Sequence, residues 1–405
     1  MKRWMRFMAA WALALVLSTL GPRLSHAAGP KLVTPNGATL PLVDVDGVKV
    51  GHLIAEEIDH ELASGLEVKA WGYNGGTPGP TIEARQGDRL RLYVENRLPA
   101  PTTVHWHGLV LPTGMDGVSG LSQPPIPPGA TYVYEFDLPH AGTFMYHPHH
   151  DEMTQLAMGM AGMFIVHPRI ERGPAVDHDF VLMTHEWKVP VGAARPDPNE
   201  MSDFNVFTFN GKAYPATAPL EVKRGERVRI RLGNLSPTDH HPIHVHGLWF
   251  EMTATDGGLV PLSARHPETT VLVPVGTTRV IELVPTVAGE WAIHCHMTHH
   301  TMTQMGHGLA TVIGAPLGGV DRALGRVVPG AMIMGTTGMG DMHGMKMTMP
   351  DNSAPMAGGQ GPHGPIDMGG MFTVLRVLDE EGSTQPRPVS GPATVEQLRR
   401  DGIAP

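Results

Sequence analysis

The chain has a single cysteine, Cys295, among 405 residues, which excludes an internal disulfide framework. Charged residues make up only 17% and the net charge is −9. No basic excess is available to hold nucleic acid or an anionic membrane surface. Beyond the N-terminus no apolar stretch is long enough to span a bilayer. No long segment has helical, 3.6-residue periodicity either. Two residue types are abundant instead: 24 His and 25 Met. Both ligate copper, imidazole in either redox state and thioether mainly as Cu(I).

The chain begins with Lys2, Arg3 and Arg6, continues through an apolar run over 7–20, and reaches Ser25 and Ala27, small residues at the −3 and −1 places of a cleavage site. This is the pattern of a signal peptide over 1–27, too short for a membrane span. It predicts an exported protein, periplasmic or secreted. A lone thiol in an oxidising compartment needs a reason, and metal ligation supplies one.

An internal repeat organises the rest. "IEARQGDRLRLYVENRLPAPTTVHWHG" (82–108) parallels "LEVKRGERVRIRLGNLSPTDHHPIHVHG" (220–247), and "PPGATYVYEFDLPHAGTFMYHPH" (127–149) parallels "PVGTTRVIELVPTVAGEWAIHCH" (274–296). Two related domains are expected, over 32–168 and 177–316. "DRLRLYV", "TYVYEFDL", "ERVRIRL" and "TRVIELV" alternate polar and apolar residues, the period-2 signature of strands. Short strands at this spacing predict an all-β protein of sandwiches or barrels. A third region, 317–371, follows; within it 330–371 is rich in Gly and Met and reads as a flexible segment. "FTVLRVL" (372–378) reads as one more strand, followed by a polar tail to 405.

Four pairs have the form His-x-His: His105/His107, His147/His149, His244/His246 and His294/His296. Residues i and i+2 of a strand share a face, so each pair can present two imidazoles to one metal cluster. A surface strand carrying two histidines by chance explains one pair, but not four at matched places of a repeat. Cys295 lies between His294 and His296 and points to the opposite face. His241, His300 and Met305 can complete a site there. A Cys, two His and a weak Met form the blue-copper set. Zinc is the rival metal, but zinc chemistry has no use for two connected sites.

"HWHG" (105–108), "HPH" (147–149), "HPIHVHG" (241–247) and "HCHMTHHTMTQM" (294–305) resemble the four copper motifs of the multicopper oxidases, in that family's order and spacing. The resemblance implies two cupredoxin-like Greek-key sandwiches and four coppers per active unit. It places type 1 copper on His241, Cys295, His300 and Met305, and type 2 copper on His105 and His244. One type 3 copper falls to His107, His147 and His296, the other to His149, His246 and His294. Asp116 stands where the family has a carboxylate that helps protons reach the oxygen site. Thr301 stands where the family often has an acidic residue. In the first repeat Thr102, Pro148, Met153 and Met158 replace His241, Cys295, His300 and Met305, so one blue site per chain is expected, in the second domain.

The implied reaction oxidises a donor one electron at a time and reduces O2 to water. The methionines over 332–371 favour Cu(I) as donor, in copper tolerance. A phenol-oxidising laccase is the alternative. A copper nitrite reductase needs fewer histidines, and a non-catalytic copper carrier has no use for a Cys–His bridge. The cluster histidines come half from each repeat, and the joint at 168–177 is short. Two-domain laccases, which the chain resembles, close head-to-tail as trimers, so a homotrimer is expected.

Overall fold

The computed structural model describes residues 30–171, 173–304, 319–327, 350–356, 358–384 and 395–400. The signal-peptide reading, Met305 and the methionines from Met332 to Met349 lie outside them. The described chain is almost wholly β, with only short helices such as Glu152–Ala157 and Val320–Val327. No described helix is long and apolar enough to cross a membrane.

The strands form two sandwiches. In the first, a five-stranded sheet built on Val48–Ala63 and Arg89–Asn96 faces a four-stranded sheet. In that second sheet Ile82–Arg85, Gly162–His167, Gly142–His147 and His105–His107 lie side by side. Leu90, Leu92 and Val94 point into the core with Trp106, Tyr134 and Phe136, while Arg89, Arg91 and Tyr93 between them face outward and are less buried. The period-2 reading of "DRLRLYV" is realised.

The second sandwich pairs an eight-stranded sheet with a five-stranded one ordered Leu220–Lys223, Phe372–Leu378, Gly289–Cys295, His241–Val245, Thr270–Val273. Two elements cross the expected boundaries. Leu32–Val33, placed by the repeat in the first domain, pairs with His178–Trp187 of the second. Phe372–Leu378 lies between the first strand and the Cys295 strand. The reading of 330–371 as flexible fails for its last part. Met371 is fully buried, its carbonyl accepts from Cys295 N–H, its N–H donates to His300 O, and Gly369 N–H donates to Thr301 O. Composition alone conceals such backbone bonds, because any residue but proline can make both.

The sandwiches pack on each other. His178–Trp187 is buried along nearly its whole length, because its outer face is covered by the first domain. Met145, Met163, Val181 and Leu235 form the apolar part of that contact. Gly233 lets the domains approach closely here, since a Cβ would stand 2.4 Å from Met163 Sδ and push that side chain aside. Arg231, on the face that alternation assigns to solvent, is buried. Its guanidinium donates three bonds of 2.7 Å, two to the Asp179 carboxylate and one across the joint to Thr143 Oγ1.

Candidate metal centres

The first domain brings His105, His107, His147 and His149 together at the end of its four-stranded sheet. His105 pairs directly with His147 across the ladder. The nitrogens are sorted by backbone acceptors. His105 Nδ1–H donates to Asp116 O at 2.7 Å, and His147 Nδ1–H to Pro148 O at 2.9 Å. Both bonds leave Nε2 free for a metal. His107 is turned the other way, with Nδ1 3.3 Å from His147 Nε2. A metal about 2.0 Å from each nitrogen spans such a gap. Burial, and after it the neighbouring His147, pushes His107 down to about 4, so it stays neutral and able to ligate.

The second domain repeats the arrangement. His244 pairs with His294. His244 Nδ1–H donates to Thr269 O and His294 Nδ1–H to Cys295 O, each at 2.8 Å. His246 Nε2 and His294 Nε2 converge to 3.1 Å. His296 lies 5.4 Å from His244, ring to ring.

The two halves do not meet within the chain. Among the described residues, every ring contact between two of these eight histidines stays within one half. The first half opens into a cavity of about 540 Å³, walled on its far side by Ser236, Thr238 and Gly276 of the second domain. The second half lies on the outer face of its sheet, which it shares with exposed Leu272.

Cys295, on the inner face, is fully buried with His241 and His300. Its Sγ is 3.7 Å from His241 Nδ1 and 3.4 Å from His300 Nδ1, and the two nitrogens are 3.2 Å apart. A trigonal ion with bonds of about 2.0 Å to nitrogen and 2.3 Å to sulfur has edges of about 3.5–3.7 Å, so the donor set fits one. Burial pushes the thiol up to about 12, and a bound cation reverses that by deprotonating it. Phe207 stacks on His300 at 4.0 Å.

In the first domain Thr102, at the place of His241, donates to Gln155 Oε1 at 2.7 Å, and both are fully buried. Met153, aligned with His300, is 54% exposed. Gln155 therefore fills the space, because the helix Glu152–Ala157 shifts the register after His149.

Asp116 Oδ1 is 3.5 Å from His105 Nδ1. The sequence reading missed three carboxylates. Glu152 lies 3.2 Å from His147 Nδ1 and 3.9 Å from His149 Nε2; its closeness to "HPH" was the available signal. Asp239 Oδ2 is 3.3 Å from His300 Nε2. The imidazole holds Asp239 down to about 2. Glu186 is fully buried and, by that burial and then by Asp239, is pushed up to about 8. Thr301 is buried and donates to Thr298 O, so no carboxylate occupies its place.

Two multicopper oxidase sequence profiles match in tandem, over residues 55–171 and 190–314. Copper resistance protein A of Escherichia coli is 29% identical over 350 residues, covering 72% of this chain and 56% of that protein. The chain thus spans about half the length of this curated relative. A solved multicopper oxidase is 32% identical with a TM-score of 0.55, over 65% of this chain and 89% of that one. The blue copper oxidase of Nitrosomonas europaea is 25% identical with a TM-score of 0.59, over 87% and 93%. The repeated sandwich, the four His-x-His pairs and these likenesses agree: the chain belongs to the multicopper oxidases.

Proposed function

We propose that the protein oxidises Cu(I) one electron at a time and reduces O2 to water, outside the cytoplasm, in copper tolerance. The observation that carries this is one strand, Gly289–Cys295, and the residue after it. Cys295 faces inward with His241 and His300, while its neighbours His294 and His296 belong to the histidines of the outer face. Copper at these donors supplies one-electron redox chemistry. The chain supplies a covalent bridge one residue long between the donor side and the oxygen side. On the oxygen side, Asp116, Pro148 and Thr269 hold the imidazole N–H groups, so the other ring nitrogens face the cluster.

A metal-ion donor is favoured by what lies beside His300. The Asp239 carboxylate and the His299 ring stand beside the His300 ring that takes the electron, their ligand atoms within 4.8 Å of one another, so an approaching cation meets an anionic and an imidazole donor there. The likeness to copper resistance protein A points the same way. Because the two histidine halves do not meet within one chain, the reading includes assembly: the second-domain half of one copy meets the first-domain half of the next, closing as a trimer. The signal-peptide pattern supports export.

The test is metal analysis with oxygen uptake on the purified protein. The proposal expects four coppers per chain and faster O2 consumption with Cu(I) than with a phenol. A faster phenol rate would move the reading to a laccase. Copper binding without oxygen uptake would leave only a carrier.

A further inference from the structure

Both imidazoles that face Cys295 are backed by one short loop, 236–239. At its start, Ser236 Oγ is 2.7 Å from His241 Nε2, and both side chains are fully buried. With His241 Nδ1 turned to the sulfur, Nε2 carries the proton and donates it to the serine oxygen. At the loop's end, Asp239 Oδ2 lies 3.3 Å from His300 Nε2.

The loop is pinned from two sides. Asn234 Oδ1 accepts from Ser236 N–H at 2.8 Å, and its amide donates to Asp239 O at 2.9 Å. From the neighbouring strand, Glu186 Oε1 accepts from Thr238 N–H at 2.7 Å, from Asp239 N–H at 3.0 Å and from the Thr238 hydroxyl at 3.2 Å. One buried oxygen thus takes three donors of the loop.

The internal repeat provides a control. In the first domain, Asn96 Oδ1 accepts from Leu98 N–H at 2.9 Å and its amide donates to Ala100 O. The asparagine pin is therefore common to both domains. The domain without a blue site has Leu98 where Ser236 stands, and Thr102 where His241 stands. The pin serves the fold; the serine occurs only where an imidazole must be aimed.

We propose that Glu186 is a positioning residue of the blue site, holding loop 236–239 so that Ser236 aims the His241 imidazole at the Cys295 sulfur. This rests on His241, Cys295 and His300 being the copper donors. Partners of ligating histidines orient the ring, and losing one weakens metal binding roughly 10- to 100-fold. Glu186→Leu keeps the bulk and removes the acceptor. Glu186→Gln keeps a carbonyl oxygen at the Oε1 place.

The test compares copper-loaded full-length chains by visible absorption, by the copper hyperfine splitting in electron paramagnetic resonance, by reduction potential and by Cu(II) affinity. Glu186→Leu should move the thiolate band and the splitting and weaken type 1 Cu(II) binding roughly 10- to 100-fold, with Glu186→Gln restoring all of them. If Glu186→Leu does not fold, Ser236→Ala is the second arm, with Ser236→Thr as its rescue. A wild-type spectrum and affinity in folded Glu186→Leu or in Ser236→Ala overturns the proposal. So does an equal shift in Glu186→Gln and Glu186→Leu. A wild-type protein with no thiolate band would instead sink the copper assignment beneath it.

Discussion

Cys295 combines full burial, a thiol pushed up to about 12 and two imidazole nitrogens within 3.7 Å. In the metal-free chain it should stay unreactive towards a chromogenic thiol reagent until the protein unfolds; rapid labelling of the folded apoprotein would show that the sulfur is accessible. Cys295→Ser should abolish the visible charge-transfer band and oxygen uptake and lower the copper content by one ion per chain. The histidine-held coppers should remain, because only this site uses the thiolate. His185 makes a different prediction. It is 5% exposed, stacks edge-on against Trp187, and is driven by burial from 6.5 down to about 4. Between those pH values the unfolded chain binds the extra proton and the folded chain does not. Its contribution is therefore present above pH 6.5 and lost as pH falls through 4, by about 3 kcal/mol at most. Denaturant midpoints at pH 7 and pH 5 measure it, and His185→Gln should flatten the slope.

Among the elements, Phe372–Leu378 and the residues before it decide most. The strand completes the sheet that carries Cys295. Residues 353–371 reach the Cys295 and His300 segment through Met371, Gly369 and a bond from Thr303 N–H to Met356 O. Deleting 330–349 removes seven methionines and none of these bonds. It should lower Cu(I) oxidation more than phenol oxidation and leave the blue band in place. Extending the deletion to 371 should abolish the band as well. Equal loss of both activities with the shorter deletion would rule out copper delivery by those methionines. The strand at 372–378 was legible from its period-2 pattern. Its place beside Cys295 was not, because register and neighbour are chosen by pairing over long sequence distance.

For the whole molecule, the decisive contact is the one between the sandwiches. Arg231, Asp179 and Thr143 lock it with buried, bonded charge, and breaking one partner of such a set is costly. With the domains held so, the two histidine halves stay apart within one chain, and the proposed assembly joins each to a second copy. Leu272, 51% exposed, is on the same outer face as His244. Leu272→Asp should give folded monomers that bind type 1 copper and reduce no oxygen, read by light scattering with size exclusion. A wild-type monomer with full activity would overturn the assembly.

What local patterns settle, they settle well. Alternation every second residue identified the strands, and the His-x-His pairs with one intervening cysteine placed those histidines and Cys295 on opposite faces of one strand. Each depends only on neighbours two residues apart, which a strand places on one side by its geometry. Tertiary pairing alone decided the rest. It brought Glu186 and Asp239, 53 residues apart, to one loop, set Gln155 in place of Met153, and drew Leu32–Val33 and Phe372–Leu378 into the second sandwich. It also kept the histidine halves apart. Carboxylates have no period of their own, and a sheet's neighbours are chosen by the burial they achieve together, so neither is written in any single stretch of chain.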